Sequence, residues 1–155
     1  MSKKLSEMSL EELWQLFPIF LTEHQDYWKD WYAEEKTLLK PLLPQTAKLN
    51  HIGSTAINTI WAKPIIDILV EVQRECNLSD FKDILVNNGY ICMTESTERI
   101  SFNKGYTEYG FAERVFHLHL RYIGDNDELY FRDYLNEFPD VASQYEKMKR
   151  KLWRE

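Results

Sequence analysis

The chain has 155 residues, a formal net charge of −6 and a pI near 5.3. That length supports one domain with a proper core, and 44% hydrophobic and 14% aromatic residues exclude a disordered chain. The acid excess disfavours long nucleic acid, whose binding rests on Lys and Arg against phosphates, but leaves room for a nucleotide in a local basic pocket.

Residues 1–8 read as a frayed leader without the apolar stretch of a signal peptide, and no run approaches a membrane span. With two cysteines outside any CxxC pair, a cytoplasmic, reduced protein is expected, with no membrane partner. Ser9 followed by Glu11 and Glu12 predicts a short helix to Leu16, and residues 17–21 run extended around Pro18. Residues 1–22 form an expected arm and 23–155 the domain. Exposed aromatics near the N-terminus would suit a homodimer.

Residues 24–40 have helical spacing, with Tyr27, Trp28, Trp31, Tyr32, Glu35, Leu38 and Leu39 on one face, and Pro41 and Pro44 end the helix. Trp28 and Trp31 read as core. Residues 47–52 form a short strand leading into Gly53-Ser54. Residues 55–60 are expected as a short helix whose first amides, with the Gly53-Ser54-Thr55 turn, could meet a phosphate.

Residues 64–72 form the most informative strand. Ile66, Ile68, Val70 and Val72 fall on one face; Ile65, Asp67, Leu69 and Glu71 fall on the other. As a helix the same residues would be apolar nearly all round and heavily β-branched, so a strand fits better. Pro64 sits where a strand tolerates a missing donor.

Ser79-Asp80 caps a helix through Asn87 that buries Phe81, Ile84 and Leu85 and stops at Asn88-Gly89. Residues 90–93 and 99–104 are short strands. Residues 105–113, with two glycines, read as a flexible flap. Residues 114–122 form another two-faced strand, with Phe116, Leu118, Leu120 and Tyr122 opposite Val115, His117, His119 and Arg121. A helix capped by residues 125–128 runs through Phe138, burying Leu129, Phe131, Tyr134, Leu135 and Phe138. A last helix starts at Pro139-Asp140 with Val141, Tyr145, Met148 and Leu152 inward, and its basic last turns read as a solvated face. The order describes an α+β domain, a mixed sheet with helices packed against it.

If the two polar strand faces share one side of a sheet, Asp67, Glu71, His117, His119 and Arg121 line a common cleft. Such a set can hold a divalent cation through Asp67, Glu71 and His119, while Lys63 and Arg121 neutralise phosphate. Ser54 and the amides after Gly53 would grip a terminal phosphate. Each feature also has a plainer explanation, as solvated acids, half-exposed imidazoles or ion pairs with Lys63 and Arg121. A cupin-type metal site does not fit the spacing around His117 and His119, and no P-loop is present for kinase chemistry.

The segments HIGSTA (51–56), KPIIDILVEV (63–72), RISF (99–102), FHLHLRY (116–122) and FRDYL (131–135) resemble the GrpB family of bacterial proteins, from about Leu10 to the end of the chain. The resemblance implies a nucleotidyltransferase-like fold. It aligns Gly53 and Ser54 with the superfamily's turn and Asp67 with its first metal-binding acid. Leu69 then stands where the second acid belongs, and His117 and His119 where a later carboxylate is expected. The activity implied is transfer of a nucleotidyl group from a nucleoside triphosphate to a small acceptor. Mg²⁺ or Mn²⁺ would sit on Asp67, and His119 or His117 would take the acceptor proton. The alternative is a pocket on the same fold that binds a phosphorylated metabolite through Ser54, Lys63, Arg99, His117, His119 and Arg121.

Overall fold

The computed structural model describes residues 21–154, apart from residue 59 and residues 108–109. The helix expected over residues 9–16 lies outside that range, as does nearly all of the extended run after it. Helix α1 spans Tyr27–Leu39, followed by a 3-10 turn at Lys40–Leu42 that contains Pro41. Strand β1 is Lys48–Ile52 and β2 is Ile65–Val72. Helix α2 is Lys82–Val86, β3 is Ile91–Glu95, β4 is Arg99–Thr107 and β5 is Gly110–Tyr122. Helices α3, Asp127–Glu137, and α4, Pro139–Arg154, complete the chain. No helix among the described residues is long and apolar enough to cross a membrane.

The five strands form one sheet in the order β1-β2-β5-β4-β3. β2 and β5 pair in parallel at its centre, and the other pairings are antiparallel. A parallel pair cannot be closed by a hairpin, and here α2, β3 and β4 make the return.

Register sorts the side chains by face. Ile66, Ile68, Val70 and Val72 of β2 lie beside Phe116, Leu118, Leu120 and Tyr122 of β5. These β2 residues, with Phe116, Leu118 and Leu120, are buried in a core that also takes Trp28 and Leu39 of α1, Leu85, Ile100 and Phe102. Each large apolar side chain so buried contributes roughly 1.5–3 kcal/mol. Trp28 is therefore core, and Trp31 packs against the same cluster. Tyr27 and Leu38, expected on the inward stripe, are exposed.

One polar group enters this core. Glu35 of α1 is buried, accepting a hydrogen bond from the Tyr90 hydroxyl at 2.6 Å and another from Lys104 Nζ at 2.7 Å. Burial, then the Glu35 charge, pushes the Tyr90 phenol far above its ordinary range. The network ties α1 to β4 across the sheet face. Tyr90→Phe should cost about 1.5 kcal/mol in a urea titration, because Glu35 keeps Lys104 while losing one bond.

Three expected elements change. The helix expected over residues 79–87 is a 3-10 turn, Leu78–Phe81, running into the short α2. It is capped by the side chain of Asn77 on Ser79 N, two residues earlier than Ser79-Asp80 implied. The short helix expected over residues 55–60 is a single 3-10 turn at Ser54–Ala56. The flap over residues 105–113 is strand instead: β4 runs on to Thr107 and β5 begins at Gly110, with a register shift between Lys104 and Tyr106. Gly105, at φ +98°, permits it, since a Cβ there would lie 2.4 Å from the Arg114 carbonyl oxygen.

Helix α3 seats along a narrow line. Leu135 is buried with Ile57, Ile60 and Ala142, with Val141 and Tyr145 against them. Phe131, Tyr134 and Phe138, expected inward, stay largely in water, as does Met148 of α4.

Candidate functional site

The Gly53 turn is built onto the start of β2. Gly53 has φ 77° and ψ −173°, a conformation open essentially to glycine alone. A Cβ added there would lie 2.4 Å from Asp67 Oδ2, so the carboxylate rests against bare backbone. The buried Thr55 donates through Oγ1 to the Ile65 carbonyl at 3.0 Å. That spends its proton, so at 2.8 Å it accepts from His51 Nε2, which sets the His51 tautomer. Burial drives the His51 pKa down to about 4, with Arg132 and His24 adding to the fall and Asp67 opposing it. Tyr32 of α1 stacks on the His51 ring at 5.1 Å, and burial raises the Tyr32 phenol to about 12. From α3, Arg132 donates to the His51 carbonyl at 2.9 Å, while Asn136 bridges Asn58 N and the Ala56 carbonyl.

Next to this turn the parallel register places Asp67 beside His117, and Leu69 beside His119. His119 Nε2 lies 3.1 Å from Asp67 Oδ1, and His117 Nδ1 lies 3.7 Å from the same oxygen. All three side chains keep about a quarter of their surface in solvent. His117 Nε2 meets the Tyr106 hydroxyl at 2.9 Å, and the two rings stack at 5.7 Å. Burial, reinforced by the Asp67 charge, raises the Tyr106 phenol, so it stays protonated beside His117. Burial lowers the His117 pKa; Asp67 opposes this, while His119 and Lys63 reinforce it. The structure thus brings together Gly53, Ser54 and Thr55 of the turn with Asp67, His117 and His119. Lys63 is exposed and acts electrostatically on His117.

Glu71, Arg99 and Arg121 are placed elsewhere. Asp67 and Glu71 are four residues apart on one strand, roughly 13 Å of rise, too far to share one cation. Glu71 is 1% exposed, and its carboxylate accepts from Gly124 N at 3.0 Å and Asn126 Nδ2 at 3.1 Å. Arg121, also buried, pairs with Glu128 and lies 3.8 Å from Asp125. Arg99 binds Asp125 through two bonds of 2.7 Å. These three residues anchor the turn between β5 and α3, with both guanidiniums engaged by carboxylates.

The donor set does not fit a Mg²⁺ ion bridging a triphosphate. Mg²⁺ demands oxygen ligands in near-octahedral geometry, but among the described residues Asp67 is the one carboxylate here, and it faces two imidazoles. Leu69, in the second-acid position, is fully buried. Among the described residues no group of three or more His, Cys, Asp or Glu side chains is arranged to hold a metal.

Tyr106 and His51 were not picked out as site residues from the sequence. The signal for Tyr106 was Gly105, a bulge residue that lets a strand continue past residue 104. His51 gave none, because its role depends on Tyr32 and Arg132 arriving from distant helices.

A Gly-Ser turn pressed against an acid on one of the two parallel inner strands of a five-stranded mixed sheet defines a nucleotidyltransferase-fold protein. Consistent with that class, the Cid1 poly(U) polymerase with MgGTP bound superposes with a TM-score of 0.58 at 14% identity, over 81% of this chain and 41% of that one. The chain belongs to the GrpB family, whose model, described as GrpB protein, matches residues 18–155. The crystal structure of the conserved protein GrpB from Enterococcus faecalis superposes with a TM-score of 0.74 at 31% identity, over 87% of this chain and 83% of that one. The UPF0157 protein YqkA of Bacillus subtilis is 32% identical over 156 residues, 96% of this chain. The chain spans 45% of the length of YqkA.

Proposed function

We propose that the cleft bounded by Gly53, Ser54, Asp67, His117 and His119 binds the phosphate end of a small phosphorylated molecule, without requiring a bridging Mg²⁺. The observation that carries this reading is the pairing of Asp67 with two imidazoles, beside a buried Leu69. Lys63 supplies the complementary charge, and the amides of the Gly53-Ser54-Thr55 turn and the two imidazoles supply donors. Arg99 and Arg121 are left out of the ligand set, because their carboxylate partners already satisfy them.

Calorimetry with pyrophosphate and with a nucleoside triphosphate, in the presence of chelator, tests the proposal. Lys63→Ala should weaken binding about tenfold, the value of one charge-assisted contact. Arg121→Ala should leave affinity unchanged while lowering stability. No binding at millimolar concentrations in chelator would sink the reading.

A second reading, nucleotidyl transfer, draws on the contact between Gly53 and Asp67 and on the fold shared with the poly(U) polymerase. It would be supported by pyrophosphate release from a nucleoside triphosphate that requires Mn²⁺ or Mg²⁺ and disappears in Asp67→Asn.

A further inference from the structure

Among the described residues, helix α3 carries four aromatic side chains that stay exposed. Tyr130 is 72% exposed, Phe131 46%, Tyr134 50% and Phe138 45%. They form a continuous strip: Tyr134 and Phe138 touch at a ring separation of 4.8 Å, and Phe131 meets Tyr145 of α4 at 5.2 Å. Acids rim the strip. Helix α3 holds Asp127, Glu128, Asp133 and Glu137; Glu128 pairs with Arg121, and Arg132 binds Asp133 through Nε at 2.8 Å while its Nη1 reaches the His51 carbonyl, which leaves the exposed Asp127 and Glu137 as the rest of the rim.

The other uncovered element has the opposite character. The second half of α4 carries Met148, which is 53% exposed, between Lys147 and Lys151, with Lys149, Arg150 and Arg154 in the same stretch of sequence. Lys147 and Lys151 are exposed. The acid-rimmed aromatic strip therefore fits a basic amphipathic helix, and each chain carries one beside its own strip.

We infer that this face is a two-fold interface between copies of this chain, with the basic half of α4 of each copy lying along the aromatic strip of α3 of the other. Packing α3 on α3 would oppose acid to acid, whereas α3 on the partner's α4 pairs opposite charges twice by symmetry. The area suffices. Four half-exposed aromatics leave roughly 400–500 Å² of apolar side chain in water on each copy. Two copies thus bury about 1,000 Å² through the strips alone, the lower bound for a specific interface.

Sedimentation velocity on the full chain tests the arrangement. The expected species is twice 18.6 kDa, with a dissociation constant that rises about tenfold between low and high salt. Lys147→Glu with Lys151→Glu makes a monomer, and Asp133→Lys with Glu137→Lys makes another. Mixing the two restores a dimer, as does putting all four substitutions on one chain, because each contact then carries opposite charges again. Tyr130→Ser with Tyr134→Ser removes the strip without altering charge and also gives a monomer. Circular dichroism reports whether each variant folds, and the four-substitution chain and the mixture decide if either reversed pair does not. A wild-type monomer at about 300 µM, a dimer untouched by the substitutions, or a folded four-substitution chain that stays monomeric overturns the proposal.

Discussion

Gly53→Ala is expected to lower stability by about 3–4 kcal/mol and to abolish ligand binding in the cleft. Two costs add. The backbone conformation at φ 77° and ψ −173° costs any side chain roughly 1–3 kcal/mol. The new methyl would also sit 2.4 Å from Asp67 Oδ2, which must move away and give up the charge-assisted contact with His119 at 3.1 Å. For a chain of this size the melting temperature should fall by about 10 °C. Gly124→Ala is the control. Its φ of +99° also lies in the region that side chains rarely adopt, but no atom lies within 4 Å of the new Cβ, so only a backbone cost applies. Adding Asp67→Gly to Gly53→Ala should recover part of the loss, a coupling that a purely conformational effect would not produce. Equal melting points for the Gly53 and Gly124 variants would refute the steric account.

Acid should unfold this protein over a window set by its buried histidines. The folded-state pKa of His51 lies near 4, below the ordinary 6.5. Between those values the unfolded chain binds more protons, so stability rises with pH. The contribution is fully present above about pH 6.5 and is lost as pH falls towards 4. It amounts to roughly 3 kcal/mol for His51. His117, whose pKa burial also lowers, acts in the same direction. Urea midpoints measured from pH 7 to pH 4.5 check this. Glutamine at residue 51 can still donate to Thr55 Oγ1 but does not titrate, so His51→Gln should flatten most of the slope. Parallel slopes for wild type and His51→Gln would assign the acid sensitivity to carboxylates instead. Because His51 holds Thr55, and Thr55 holds the turn against Ile65, ligand affinity should fall together with stability in this window.

The two-faced strands were readable because the period of two is a local property. Alternation in residues 64–72 and 114–122 was enough to separate a core face from a polar one and to single out Asp67, His117 and His119. The GrpB motifs added the fold. The stripe on α3 was misjudged because helical spacing says which residues share a face, not whether anything covers it. Leu135 finds Ile57 and Ile60, while Tyr134, one residue away, faces water.

Local pattern thus settled the strands, their inner faces and the identity of the polar residues, since these follow from side-chain alternation and composition. Which polar residues meet was a matter of register and of distant partners. The parallel pairing of β2 with β5 put His117 and His119 on Asp67. The turn after β5 took Glu71, and carboxylates at residues 125 and 128 took Arg99 and Arg121. Short-range sterics dictate the first kind of fact. The second depends, the short Arg121–Glu128 pair apart, on groups 26 to 53 residues apart in the chain, whose pairing exists only once the sheet has closed.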